Sequence, residues 1–379
     1  MAINILINAL GIADSGGIVV LDKALAECAT DKSNALLIVC NSNENIRKLK
    51  IKYKEFNFIM VRSGLLYRVF YENIIFRRLV IKNNIQLIYN FSGSAQLNFL
   101  IHIPQLTKVH NLLFYSRNLD SVYYSKKVYF EWFKQVFLKR LYFKFMLNQS
   151  RYIEVQSNHV QDCLSNFIDT KNKIFYEKSD IDVCNDAFSP PKGYDFSKKI
   201  KFLYIVGPHF ESIHKNFFTF VDALSVFDGL NIDYEINVTL TKDQLHNSGI
   251  WDYALDSKTN FLGYISDQEK MTELFSDNTI LISTSIIETL GLHVIEGIRS
   301  GVITIAPNES YARAVYGDNM ILYDTLDSNS LLNAIQFILK SDVSHSALIL
   351  SLQDRLKKSE TAKYHNILDI FEEVLNVQK

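Results

Sequence analysis

Short apolar runs alternate with stretches of helical spacing along the whole chain, and that alternation predicts parallel strands joined by helices. In the first half Ile3-Asn4-Ile5-Leu6-Ile7 reads as a strand, Gly16-Gly17 as a tight turn and residues 18–28 as a helix. Later strands are predicted at 35–40, 86–89, 108–110 and 152–156. Ser189-Pro190-Pro191-Lys192-Gly193 holds two of only five prolines and reads as a linker. The pattern restarts at 201–207, with further strands at 232–240, 260–262 and 279–283 and a last helix at about 366–377. The fold class is therefore α/β. Two Rossmann-like parallel-sheet domains are expected at 1–188 and 194–365, followed by a closing helix at 366–379.

The most informative break in this pattern lies late in the second domain. After the strand run Asn278-Thr279-Ile280-Leu281-Ile282-Ser283, the residues Leu292, Ile295 and Ile298 recur at helical spacing up to a stop at Gly301. Gly291 therefore opens a helix after a strand. The first turn of such a helix carries unpaired N–H groups and the positive end of the helix dipole, which together seat a phosphate anion. The amides of Gly291 and Leu292 are placed to hold it, and glycine lets the anion approach closely. Glu296 lies about 7.5 Å further along the axis, with its Cβ leaning back toward the helix start. Its carboxylate is positioned to accept bonds from ribose hydroxyls. Glu288, in the loop before the helix, faces whatever is attached beyond the phosphates, and a carboxylate there suits the hydroxyls of a sugar.

Composition narrows the class. A chain of 379 residues suits two cores rather than one, and 48% hydrophobic content supplies the surface to bury. A net charge of -1 with a pI of about 6.8 gives no electrostatic reason to expect nucleic acid. Cys28, Cys40, Cys163 and Cys184 are scattered without a CxxC pair, which argues against a zinc site and against a secreted disulfide framework. A reducing cytoplasm is the expected setting. Neither a signal peptide nor a membrane span is expected, because the first residues have no basic leader and no apolar stretch is long enough to cross a bilayer.

The stretch Ser285-Ile286-Ile287-Glu288-Thr289-Leu290-Gly291-Leu292-His293-Val294-Ile295-Glu296-Gly297 resembles the signature of retaining glycosyltransferases of family 4, whose GT-B fold has two Rossmann domains facing a cleft. The resemblance continues through Val302-Ile303-Thr304-Ile305-Ala306-Pro307, similar to that family's next strand, and through Gly317-Asp318-Asn319-Met320-Ile321-Leu322-Tyr323-Asp324. Gly207-Pro208-His209-Phe210-Glu211-Ser212-Ile213-His214-Lys215-Asn216 is similar to the family's loop in which a lysine reaches the donor diphosphate. Lys215 takes that position, in a variant with a His-Lys-Asn triplet. The family also carries an arginine soon after the glycine, where this chain has Pro208 and His209, and His209, His214 or Arg299 is left to supply that second charge.

What the resemblance implies is a hexosyltransferase-type enzyme. It takes a nucleotide diphosphate sugar as donor and a hydroxyl of a glycan or lipid-linked glycan as acceptor, and needs no metal or other cofactor. The donor's α configuration is retained, with the β-phosphate helping to deprotonate the acceptor, and the pathway is cell-surface polysaccharide (O-antigen or capsule) synthesis. Lys215, Glu288 and His110 form the catalytic set, His110 matching a histidine that relatives keep facing the donor sugar at the carboxyl end of a strand. Gly16, Gly17, Tyr264, Gly291, Leu292 and Glu296 bind the donor. Of these, Asp14-Ser15-Gly16-Gly17 resembles the family's glycine loop and Gly263-Tyr264 its base-contacting loop. The closing helix resembles the family's terminal helix, which crosses back to the N-terminal, acceptor-binding domain.

Two further patterns carry readings of their own. Asp180-Ile181-Asp182 spells the DxD pattern with which other glycosyltransferases hold a metal, but its place just before the linker reads as solvated loop. Phe130, Phe133, Phe137, Leu141 and Phe145 recur at helical spacing and read first as a stripe facing the core. Lys134 and Lys144 lie close to that face and blur its segregation, while Lys126, Lys127, Lys139 and Arg140 add a basic fringe that suits an anionic surface and gives a second reading, peripheral contact with the inner face of the membrane. Two rival functions stand beside the transferase: a nucleotide-sugar epimerase of the same fold, and a non-catalytic subunit that binds nucleotide sugar.

Overall fold

The computed structural model describes every residue except 1–2, 13–14, 32–33, 63, 92, 179, 181–187, 231, 266, 341–343, 360–362 and 378–379. Asp14, Ile181, Asp182 and Cys184 therefore lie outside the described residues. The chain divides into two compact units, one built from residues 1–116, 129–182 and 362–379, the other from 117–128 and 183–361.

The first unit is a seven-stranded sheet of β1 (Asn4–Ala9), β2 (Ala35–Asn41), β3 (Asn57–Val61), β4 (Leu87–Asn90), β5 (Gln105–Val109), β6 (Tyr152–Val155) and β7 (Ile174–Glu177), in the order β3-β2-β1-β4-β5-β6-β7. Every pairing in it is parallel. Ile5, Ile7 and Ala9 of β1 enter one core and Leu6 enters the core on the opposite face. A strand buried on both faces can be apolar at consecutive positions, which is why Ile5-Leu6-Ile7 is apolar without a break in the middle of β1. The helix Ser15–Ala29 begins earlier than expected and takes Gly16 and Gly17 into its first turn, so the glycine pair is helical rather than a tight turn. β5 also begins early, because its first half is polar and yet buried. Gln105 Oε1 accepts from the Gln96 amide at 2.7 Å, and Thr107 Oγ1 donates to Ser150 Oγ at 2.9 Å. The edge strands β3 and β7 have no counterpart among the expected strands.

The closing helix, Ile367–Asn376, packs in this first unit. Asn366 caps it by accepting from the Leu368 amide at 2.9 Å, and Ile367, Ile370, Phe371 and Val374 enter the core, with Phe371 edge-on to Tyr89. The Ile367 amide donates to Glu27 Oε2 at 2.8 Å, which ties the start of this helix to the helix after β1.

The aromatic stripe expected to face the core does not do so. Its segment is a helix at Tyr129–Trp132, a π-helical turn at Phe133–Phe137 and a helix at Leu138–Asn148. The π turn holds one residue more than an α turn, so the outward face passes from Phe133 to Leu138, while Phe137 turns partly inward against the Trp132 and Phe133 rings. Phe130, Phe133, Leu138, Leu141 and Phe145 are exposed, and Val136, Met146 and Leu147 supply the buried side.

The second unit is a six-stranded parallel sheet of β8 (Ile200–Tyr204), β9 (Tyr234–Val238), β10 (Thr259–Phe261), β11 (Thr279–Ile282), β12 (Ile303–Pro307) and β13 (Ile321–Tyr323), in the order β10-β9-β8-β11-β12-β13. Alternation again fills two cores: Phe202 and Tyr204 face the helix Phe217–Phe227, and Leu203 faces Leu281 and Phe275 on the other side. Both units are thus Rossmann-like. Among the described residues no helix is long and apolar enough to cross a membrane.

Candidate functional site

The carboxyl end of β11 leads into a loop whose backbone is lashed down from three sides. The Tyr311 hydroxyl donates to the Ser285 carbonyl at 2.6 Å and the Tyr316 hydroxyl to the Leu290 carbonyl at 2.8 Å. The Tyr204 hydroxyl meets Thr284 Oγ1 at 2.6 Å, and Thr284 Oγ1 donates to the Lys215 carbonyl at 2.7 Å. The Ile286 amide donates to the His214 carbonyl at 2.7 Å, so the loop after β8 and the loop after β11 are one hydrogen-bonded assembly.

This loop ends at Gly291, which caps the helix Leu292–Arg299 in the left-handed region, with φ 61° and ψ 60°. A Cβ on it would lie 2.1 Å from the Tyr316 hydroxyl. Glycine is therefore required here by backbone conformation and by the tyrosine clamp, reasons more immediate than the approach of an anion. The Gly291 carbonyl accepts from the amides of Val294 and Ile295, whereas the Leu292 and His293 amides have no acceptor within the described chain. Two donors at the positive end of a helix, fixed in place by buried tyrosines, make a rigid seat for an anion.

Beside that seat Lys215 Nζ lies 2.7 Å from Glu288 Oε1, both side chains being mostly buried. Lys215 ends the short 3-10 turn Ile213–Lys215, and Asn216, left-handed at φ 48°, redirects the chain into the helix Phe217–Phe227. Burial favours the neutral form of Glu288, but the charges of Lys215 and His293 and hydrogen bonds from Lys215 and Ser285 outweigh it and hold the carboxyl at about 2. Burial, reinforced by Lys215 and opposed by Glu288, holds His293 at about 4, and His293 Nε2 lies 2.9 Å from Ser283 Oγ. His214 is held at about 4 by burial and by Lys215, against the pull of Glu288. Both imidazoles are neutral at pH 7. Glu296 differs from Glu288: burial raises its carboxyl, Arg299 only partly offsets this, and the carboxylate accepts no hydrogen bond among the described residues.

The three residues left to supply a second cation differ in position. His214 is neutral, and Arg299 lies in the last turn of its helix, away from the amide seat, with its guanidinium over the Phe188 ring. His209 is exposed in the loop after β8. Tyr264 follows Gly263, whose φ is 66°, at the end of β10, and its ring is 64% exposed. Lys215, Glu288, Gly291, Leu292 and Glu296 are thus gathered at the carboxyl edge of one sheet, and Tyr264 lies at the same edge two strands beyond β8.

In the first unit Gly16 and Gly17 lie in the first helix after β1, and His110 directly follows β5, its ring beside Phe91. Burial and the neighbouring Lys108 lower His110 to about 4, against the pull of Asp180. Asp180 is not a solvated loop residue. Its carboxylate is buried, 2.9 Å from Lys108 Nζ, and accepts from Gln156, while Lys108 also pairs with Glu154 at 2.6 Å. The buried Lys108 draws the Asp180 carboxyl downward despite desolvation.

The tyrosine clamps and His293 were not among the residues expected from the sequence. Tyr204, Tyr311 and Tyr316 sit in a strand and a helix with no local signature, and only the tertiary fold shows that their hydroxyls converge on one loop. The spacing of His293 from Glu288 could have been noticed, since both flank Gly291.

Residues 239–360 match the family described as Glycosyl transferases group 1. No curated protein matches the sequence. Among solved structures the chain is similar to a glycosyltransferase from Rickettsia africae, with 16% identity, a TM-score of 0.63 and 99% of each chain covered. It is also similar to Anabaena HepE in complex with UDP-glucose, with 13% identity, a TM-score of 0.66 and 99% of each chain covered. Sucrose-phosphate synthase from Thermosynechococcus elongatus gives 16% identity and a TM-score of 0.66, covering 99% of this chain and 97% of that one. The fold is GT-B. The match over residues 239–360, taken with this fold, makes the chain a glycosyltransferase.

Proposed function

We propose that the protein is a retaining glycosyltransferase of the family 4 type that moves a hexose from a nucleotide diphosphate sugar to a hydroxyl of a glycan or lipid-linked glycan. The observation that carries this reading is the Lys215–Glu288 pair at 2.7 Å, set beside the two unpartnered amides of Leu292 and His293. In this reading residues 194–365 bind the donor and residues 1–188 the acceptor. The diphosphate occupies the amides and draws Lys215 toward itself, which frees Glu288 to accept from the sugar hydroxyls. Lysine charge and helix amides then stabilise the negative charge that develops on the β-phosphate as the glycosidic bond breaks. The β-phosphate takes the acceptor proton, Glu296 accepts from the ribose, Tyr264 frames the base and His110, neutral at pH 7, donates to or accepts from the sugar. Gly16 and Gly17 line the phosphate side, and the reaction needs no metal or other cofactor.

A cytoplasmic enzyme of cell-surface polysaccharide synthesis is the setting this chemistry fits, and a lipid-linked acceptor would bring it to the inner face of a membrane. The Anabaena structure holds UDP-glucose, so UDP-sugars are the first donors to try. A thermal-shift panel of UDP- and GDP-sugars, followed by proton NMR of the product with a matching acceptor, tests the reading. An upward shift with an α-linked product supports it. Interconversion of the donor with no acceptor present would replace it with an epimerase, and donor binding without turnover across the acceptor panel would leave a binding subunit.

A further inference from the structure

The first unit carries a surface that a water-soluble core does not explain. On the segment from Tyr129 to Asn148 the rings of Phe130, 77% exposed, Phe133 and Phe145 point outward together with Leu138 and Leu141. A second helical stretch does the same: Leu65–Phe70, the π turn Tyr71–Ile75 and Phe76–Lys82 expose Tyr67, Phe70 and Ile74. One turn of chain joins the two stretches. The Leu97 amide donates to Asn73 Oδ1 at 3.0 Å and Asn98 Nδ2 donates to the Gln149 carbonyl at 2.6 Å, and next to them Phe99 is 68% exposed. Large exposed aromatics on three tied elements mark an interaction surface rather than scattered surface residues.

Charge says what kind of surface. The chain as a whole is balanced, with 40 basic and 41 acidic residues, yet between residues 123 and 145 the only acid is Glu131. Lys134, Lys139 and Lys144 are exposed and form no ion pair with any described carboxylate, and the same holds for Arg77 and Arg78 on the second stretch. Cations without a carboxylate partner around exposed aromatic rings, Lys139 being held by Gln135 and the Phe114 ring, match a phase with apolar depth and negative headgroups. A protein partner with a flat apolar patch would satisfy the rings but leave the lysines and arginines without counter-charge.

We propose that this face, built on the 129–148 and 65–82 helices around Phe99, docks the enzyme on an anionic lipid bilayer, with the rings in the interface and the lysines and arginines on the headgroups. This deepens the proposed function by giving a lipid-linked acceptor a surface on which to meet the first unit, but its evidence is independent of the donor chemistry. Flotation with vesicles of phosphatidylcholine, alone and with phosphatidylglycerol, tests it without any nucleotide sugar present, so its failure and the failure of the transferase reading are separable. Partition onto the anionic vesicles is expected to exceed that onto neutral ones at least about tenfold and to fall with salt. The triple change Lys134→Glu, Lys139→Glu and Lys144→Glu should cut it by about tenfold or more. Phe130→Ser with Phe133→Ser should lower the part that survives high salt, with circular dichroism and donor binding unchanged in both variants. Equal partition onto the two vesicles, no partition, or insensitivity to charge reversal would overturn the proposal. So would self-association of the wild type that Phe130→Ser abolishes, which would assign the face to a second copy of the chain.

Discussion

Buried charge is treated in opposite ways in the two units. In the first, Lys108 is shared by Glu154 and Asp180, Glu154 also accepts from the Tyr89 hydroxyl at 2.6 Å, and Gln156 completes Asp180, so the central charges partner one another. In the second, Lys215 and Glu288 have chiefly each other, remain partly open to solvent, and stand beside helix amides with no acceptor. A closed network spends its electrostatics on the fold and has nothing left to offer a ligand. An open pair next to idle donors can exchange partners, and a perturbed carboxyl in such a place is what a binding site requires.

The sharpest way to break this comparison is to remove the lysine from each. Lys108→Met leaves two buried carboxylates without the lysine they share and is expected to cost about 3–5 kcal/mol of stability, read from urea unfolding. Lys215→Ala should be far milder in that assay. It should instead slow sugar transfer on the order of 10²- to 10³-fold, read by initial rates with saturating donor. If Lys215→Ala unfolds the chain as readily as Lys108→Met, the distinction between the two networks is lost.

Gly291→Ala comes next. It forces a side chain onto φ 61° and into the Tyr316 hydroxyl at 2.1 Å, and strain of about 1–3 kcal/mol is expected with a raised donor KM. Adding Tyr316→Phe removes the collision but not the backbone strain, so the double variant should recover only part of the loss. Glu296→Gln is expected to raise the donor KM about tenfold, in line with the ~1.5 kcal/mol of one hydrogen bond to a charged group, and to leave kcat nearly unchanged.

A further expected effect is in pH. His110, His214 and His293 are each held at about 4, below the ordinary 6.5. The unfolded chain therefore binds more protons than the folded one between those values, and stability should fall as pH drops from about 6.5 to 4. Glu288 is held below its ordinary value too, with a carboxyl near 2 against an ordinary 4.5. Its contribution is complete above 4.5 and is lost only as pH falls toward 2. His293→Asn should lessen the first slope and, because His293 is one of the charges that hold Glu288 down, lessen the second as well, as followed by urea midpoints across pH.

Legibility in the sequence tracked how local the determinant was. The strand, loop and helix around Gly291 were readable because Leu292, Ile295 and Ile298 repeat within one helix, and the closing helix was readable from the helical pattern at 366–377. β5 was half hidden because Gln105 and Thr107 satisfy their polarity through partners distant in the chain. The 129–148 segment was read with the right residues and the wrong face: periodicity tells which residues share a side, not whether that side meets a core, and a π turn shifts the register by one. The tyrosines that hold the loop before Gly291 left no trace in spacing, since their task is set by where their hydroxyls end up in three dimensions.

A crystal structure with a bound nucleoside diphosphate tests the central claim most directly. The account predicts β-phosphate oxygens within hydrogen-bond distance of the Leu292 and His293 amides, Lys215 turned from Glu288 toward them, and Glu296 on the ribose. A diphosphate bound elsewhere, with the Lys215–Glu288 pair intact and those two amides facing water, would contradict it.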